Sequence, residues 1–219
     1  MATNTTFSTL VQDISNYLER GGSNTTDETV FDQIPRFINA AERKIMQALK
    51  LQGTIEVLAD NAGLTAGVSV IAKPDRWRQT ISMWYGGGPT KNARTPIFPR
   101  AYEYCRTYWP DETQTAPPEF YADYDYQHWL VSPTPDQTYP LELLCYMQPE
   151  YLDAVNQTNF WTSYTPTLLL YSSLLESAPF LKADERLATW EHLRDFELQT
   201  LTGQDLQKIM DRAAERDKP

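Results

Sequence analysis

Residues 139–149 read YPLELLCYMQP, an alternating run with proline near both ends. At period two, Tyr139, Leu141, Leu143, Cys145 and Met147 fall on one face, and Pro140, Glu142, Leu144, Tyr146 and Gln148 on the other. Successive strand side chains point to opposite faces, so the pattern predicts a strand with a core face and a half-polar face. The half-polar face is suited to a partner.

Upstream, residues 54–60 (TIEVLAD), 67–73 (GVSVIAK) and 77–85 (WRQTISMWY) read as short strands separated by Asn/Gly and Pro/Asp turns. Residues 85–96 (YGGGPTKNARTP) read as a mobile loop, and 100–109 (RAYEYCRTYW) as a short helix before the turn-rich PDETQTAPP. A meander of strands over about 118–124, 127–132 and 139–147 is expected to complete the β-rich region.

Helical periodicity flanks this region. Thr6 is placed to cap a helix whose apolar face is Phe7, Leu10, Val11, Ile14 and Leu18, with Gly21-Gly22 as its stop. Asp27 is a second cap, and Pro35 predicts a kink or a new helical piece. FINAAERKIMQALK (37–50) then carries Ile38, Ala41, Ile45 and Leu49 on one stripe, and Gly53 ends it. After Pro149, Thr165 is expected to cap PTLLLYSSLLESA, which is apolar almost all round and so predicted to be buried on most sides. PFLKADE reads as a corner. A last helix from about Asp184 is expected to bury Leu187, Trp190, Leu193, Phe196 and Leu201, with Gly203 interrupting it before a polar tail. The fold class expected is α+β: a helical bundle from residues 1–53 and 150–203, a β-rich insert over 54–149, and an extended C-terminal tail over 204–219.

Of 219 residues, 41% are hydrophobic, enough for a packed core. No apolar run approaches the roughly 20 residues of a membrane span, and the N-terminus has no signal-peptide pattern. No membrane partner is expected. The net charge of −10 argues against wrapping DNA, because affinity for phosphate backbones comes from neutralising cations. It is compatible with DNA passing by, since an acidic wall repels the polymer. Two cysteines in apolar settings, Cys105 and Cys145, fit reduced thiols and a cytoplasmic origin.

Little points to chemistry. His128 and His192 belong to no metal-ligand spacing, so neither metal nor cofactor is expected. Asp123, Asp125 and His128 form a conceivable acid–base group, but Asp at a hairpin tip does turn work without catalysis. A Cys105–His128 nucleophilic pair competes with a buried hydrophobic role for Cys105. The GGGP stretch lacks the Lys-Ser/Thr of a phosphate loop. Arg76-Trp77-Arg78 suggests nucleic-acid stacking, against which stand the acidic total and a core role for Trp77. Trp109, Tyr121, Tyr124, Tyr126 and Trp129 would suit sugar stacking, and a glycan-binding module on a virion or cell surface is the alternative function; core packing explains the same residues. The expectation is a protein that is not an enzyme.

The order of three phrases adds to this reading. FINAAERKIMQALK (37–50), RAYEYCRTYWPDETQTAPPEFYADYDYQHWLVSPTPDQTYPLELLCYMQPEYL (100–152) and NFWTSYTPTLLLYSSLLESAPFLKADERLATWE (159–191) resemble the head-to-tail adaptor proteins of tailed double-stranded DNA phages, also called connectors or gatekeepers. The resemblance covers about residues 7–201. It implies a ring of about twelve copies at the virion neck, joining the portal protein to tail (nozzle or tail-fibre) proteins and continuing the DNA channel. It also implies a C-terminal portal hook, which falls on Leu206, Lys208, Ile209, Met210, Arg212 and Arg216. Contact with a neighbour or tail protein falls on Tyr139, Pro140, Glu142 and Tyr146.

Overall fold

The computed structural model describes residues 5–18, 28–49, 52–59, 63–86, 93–181 and 185–216, with the side chains of 28, 29, 52 and 205–216 outside the description. Gly21-Gly22, Asp27, and most of the GGGP loop therefore lie outside the described residues. The chain forms two compact units, one of Met1–Thr54 with Pro149–Pro219 and one of Ile55–Gln148. The first holds helices α1 (Phe7–Tyr17), α2 (Glu28–Ala48), α4 (Phe160–Tyr164), α5 (Pro166–Leu181) and α6 (Leu187–Arg216). The second holds α3 (Tyr102–Tyr108) and strands β1 (Ile55–Ala59), β2 (Val70–Ala72), β3 (Trp77–Tyr85), β4 (Thr95–Pro99), β5 (Phe120–Asp123), β6 (His128–Ser132) and β7 (Leu141–Met147).

In the helical unit, α1 begins at a reciprocal cap. The Thr9 N–H donates to the Thr6 hydroxyl at 3.2 Å, and the Thr6 N–H donates to the Thr9 hydroxyl at 2.7 Å. Phe7, Leu10, Val11, Ile14 and Leu18 are buried, as the spacing predicts. Helix α2 runs through Pro35 without ending, and Ile34, Ile38, Ala41 and Ile45 form its buried row. One lost backbone bond at Pro35 is outweighed by that apolar row. Helix α4 has no counterpart in the sequence reading. Asn159 starts it, its side-chain oxygen accepting from the N–H groups of Trp161 (3.0 Å) and Thr162 (3.3 Å). Helix α5 packs against α1, α2, α4 and α6, which is why it is apolar almost all round.

The sheet has strand order β1-β7-β3-β4-β5-β6-β2. All pairings are antiparallel except β4 with β5, which is parallel. The expected final meander is not formed, because β7 does not pair with β6 but inserts between β1 and β3. Strand β4, the proline-containing TPIFP that starts at the end of the loop expected over 85–96, bridges the two halves of the sheet. The core of this unit contains Leu64, Ile71, Met83, Ile97, Trp129, Val131, Leu141, Leu143, Cys145 and Met147.

The expected fold class needs correction on two points. The β-rich region is no small appendage on a bundle: it is a seven-stranded sheet with its own core, and the protein is a mixed α+β structure of two units. Nor is there an extended tail, since α6 continues as helix to Arg216. Gly203 lies within it, without the positive φ of a helix stop, amid good helix formers that offset the roughly 1 kcal/mol glycine penalty. Phe196, expected in the core, is 62% exposed; Trp190 is buried, and Leu187, Leu198 and Leu201 pack against the core partly buried.

A β-carbon at Gly203 would meet nothing within 4 Å. Gly203→Ala should therefore raise stability by about 0.5–1 kcal/mol, read as a higher melting temperature or urea midpoint. A lower midpoint would mean that the chain leaves the helix there.

Candidate assembly surface

Strand β7 sets two faces at once. Leu141, Leu143, Cys145 and Met147 are buried, while Glu142, Leu144 and Tyr146 are half-exposed on the opposite side. Register extends that outer face sideways. Val57 of β1 pairs with Leu144, and Ile55 with Tyr146. On β3, Ser82 pairs with Leu144 and Trp84 with Glu142. The outer face of β1, β7 and β3 therefore gathers Val57, Leu144, Trp84 and Tyr146, with Val57 62% exposed. Between them lies a shallow cavity of about 350 Å³, lined by Val57, Ser82, Trp84, Arg94, Glu142 and Leu144. One end is marked by an ion pair from Arg94 Nε to Glu142 Oε2 at 2.7 Å. Its other lining side chains are mostly apolar, a composition suited to burial against another protein surface.

Of the contact residues expected from the sequence, Glu142 and Tyr146 lie on this face. Tyr139 does not: its ring packs against Tyr85 at 4.6 Å beside the sheet core, and its hydroxyl donates to Asp136 at 2.7 Å. Pro140 is half-buried, and its carbonyl accepts from the Gly86 N–H at 3.0 Å. Leu144 lies on the half-polar face that the alternation of this strand predicts, whereas Val57 and Trp84 are not identified by the sequence reading. Alternation in each strand signals their outward direction, but only the strand order brings them together. The side chains of Leu206, Lys208, Ile209, Met210, Arg212 and Arg216 lie outside the described residues; their backbone is helical.

The residues suspected of chemistry are engaged in holding the sheet. Asp125 accepts from the Gln127 N–H at 2.7 Å, and its two oxygens sit 2.9 Å from His128 Nδ1, an arrangement that closes the β5–β6 turn. The Asp123 carboxylate accepts instead from Lys73 Nζ at 2.7 Å. The Lys73 side chain is only 4% exposed. Its ammonium lies 4.1 Å from the Trp77 ring centroid and 5.7 Å from that of Trp129, and donates to the Asp125 carbonyl at 2.9 Å. This clamp ties the end of β2 to the turn. Arg76, at φ 63°, is fixed by Gln148: the Gln148 N–H donates to its carbonyl at 2.7 Å, and its guanidinium donates to the Gln148 carbonyl at 3.0 Å. Cys105 and Cys145 are free and buried. Burial pushes both thiols up, that of Cys145 to about 11, so neither is a thiolate near neutral pH. Of the aromatic set considered for sugar binding, Tyr121 and Trp129 are buried in the core; Tyr124 and Tyr126 alone are well exposed.

Among the described residues no group of His, Cys, Asp and Glu side chains is arranged to hold a metal ion, and no helix is long and apolar enough to cross a membrane. The partly apolar outer face of the sheet is a surface suited to contact with another protein. A sequence model of the SU10 adaptor protein family matches residues 5–217, and the chain belongs to that family. It is accordingly a phage structural adaptor, a virion component of the head–tail junction that interacts with other virion proteins. No curated protein matches the chain.

The clamp and the histidine beside it have different expected weights. Lys73→Ala removes a buried ammonium from two rings and a carboxylate, and should lower stability by about 2 kcal/mol, followed as urea unfolding by tryptophan fluorescence. His128→Ala removes only an exposed turn contact and should change it by less than about 0.5 kcal/mol. Equal losses would show that the turn, not the ammonium, holds this corner.

Proposed function

We propose that copies of this adaptor close into a ring of about twelve on the phage portal, linking it to the tail nozzle or fibre proteins and continuing the DNA channel. The observation that carries the reading is the apolar outer face of β1, β7 and β3, which a monomer leaves in water. In this reading Glu142 and Tyr146, with Val57, Leu144 and Trp84, meet the neighbouring copy or a tail protein, and Tyr139 and Pro140 support the start of β7 from behind. The C-terminal part of α6 docks the portal through Leu206, Ile209 and Met210, with Lys208, Arg212 and Arg216 setting register against acidic groups. Because α6 is helical to Arg216, docking would insert a preformed helix end and save the ordering cost of a mobile tail. No metal, cofactor or catalytic group enters. DNA passes as a polymer, and the net charge of −10 disfavours its sticking.

Ring closure multiplies many weak contacts, so single-face changes should have large effects. The double variant Val57→Asp/Leu144→Asp changes only side chains on the outer face and should keep the wild-type circular dichroism spectrum. Mixed with purified portal rings and imaged by electron microscopy, it should give about tenfold fewer closed rings than wild type. Deleting 204–219 should abolish portal binding while leaving the sheet unit folded. Wild-type protein that forms no ring on the portal would overturn the proposal. Normal ring yield from the double variant would move the neighbour contact off this face.

A further inference from the structure

The sheet ends at β1, and half of that strand's backbone groups face away from it. Opposed residues of an antiparallel ladder alternate between pairs that exchange backbone bonds and pairs that do not. At the two ends of β7, the Gly86 N–H donates to the Pro140 carbonyl at 3.0 Å, and the Gln148 N–H to the Arg76 carbonyl at 2.7 Å. The even-numbered residues of β7 therefore turn their backbone groups to β3. The odd-numbered Leu143 and Cys145 turn theirs to Leu58 and Glu56 of β1. That leaves the N–H and C=O groups of Ile55, Val57 and Ala59 directed away from β7. None of these groups bonds to another described residue, and Val57 and Ala59 are exposed.

The side chains beside this edge set what it accepts. Ile55, Val57 and Ala59 lie on the outer face, which continues through Leu144 to Trp84. A strand added here would lay its alternate side chains against an apolar strip. Glu56 and Leu58 lie on the opposite face, in register with Cys145 and Leu143. Glu56 is exposed, and no cation among the described residues pairs with it. A carboxylate there disfavours an acidic or apolar residue opposite it and favours a cation. A second copy does not offer that cation at its own other sheet edge. Strand β2 has three residues, and Lys73 beside it is only 4% exposed and committed to Asp123.

We propose that β1 is a strand-addition site for an extended segment of another virion protein. The segment carries apolar side chains at alternate positions and a Lys or Arg opposite Glu56, and it pairs along Ile55–Ala59 to lengthen the sheet. Main-chain bonds to Val57 and its neighbours hold it. The Glu56 pair sets its register, because a slip of one residue would move the cation onto the apolar outer face. The inference rests on the reading of the β1–β7–β3 face as a contact surface and not on ring closure.

The test is binding of the full chain to overlapping synthetic peptides that tile the portal protein, the tail proteins and this chain itself, read by fluorescence anisotropy. The peptides that bind should come from the portal or tail proteins and share the alternation with one Lys or Arg. Val57→Pro removes an edge donor that takes no part in the β7 ladder, so it should keep the fold and lower affinity at least about tenfold. Glu56→Lys should lower affinity about tenfold, and a peptide with Glu in place of its cation should recover it. Should Val57→Pro fail to fold, hydrogen exchange of the wild type decides: the Val57 amide should exchange freely alone and be protected with peptide bound. Absence of any binding peptide, binding that survives either substitution, or a Val57 amide unprotected in the complex would overturn the proposal. Binding by peptides of this chain alone would make a second copy the occupant and overturn the assigned partner. Rings that close on the portal while no peptide binds would remove strand addition alone, and peptide binding without ring closure would remove the ring reading alone.

Discussion

The sheet unit depends on one strand being paired along both edges. Strand β7 bonds to β1 on one side and β3 on the other, so its residues have no free backbone edge and its side chains have only two directions. Proline cannot donate to a ladder, and prolines stand at 140 and 149, outside the paired span. Within that span the alternation is strict, and a slip of one residue would put Glu142 and Tyr146 in the core. The same constraint that buries Leu141, Leu143, Cys145 and Met147 therefore exposes Leu144 beside Val57 and Trp84. The core and the candidate assembly surface are two consequences of one register.

The helical unit solves a different problem. Helix α5 must be approached from several sides, and its buried positions include Ser172, Ser173 and Ser177 as well as Leu168, Leu169 and Leu174. Small side chains let neighbouring helices come close. The hydroxyls of Ser173 and Ser177 return to the helix itself, donating to the carbonyls of Leu169 at 2.7 Å and Leu174 at 2.6 Å. In contrast, the buried Glu42 of α2 accepts from Asn159 and the Leu152 N–H, so it fixes a connection where the serines only fill space.

Local pattern and long-range pairing differ in how far the sequence reveals them. The faces of α1, α2 and β7 were legible because each is a single period within one element. Thr6 announced its cap, and Cys105 and Cys145 read correctly as buried hydrophobes. Strand order was not legible, because nothing local to residues 141–147 says that β1 and β3 will be their partners rather than β6. Strand β4 was hidden by its prolines, which suit the irregular pairing at a junction between antiparallel and parallel neighbours. Gly203 misled for a thermodynamic reason: one glycine costs less than a long run of helix formers supplies. Glu142, Leu144 and Tyr146 of the candidate surface follow from one strand's alternation. Val57 and Trp84 join it only through the sheet.

Charge gives the remaining step from structure to role. Many of the charged side chains already have internal partners: Lys73 with Asp123, Arg94 with Glu142, Arg106 with Glu112, and Lys44 with Glu176. What is left over is a net charge of −10, which makes free copies repel one another. At physiological salt that repulsion decays over about 8 Å, whereas an apolar face acts only at contact. The few half-exposed side chains on β1, β7 and β3 would add, on the ring reading, only a small contact area for each pair of copies. On the ring reading this imbalance is useful. Copies stay apart until a template holds them side by side, and the apolar face then needs to supply only the small increment that each closed contact adds.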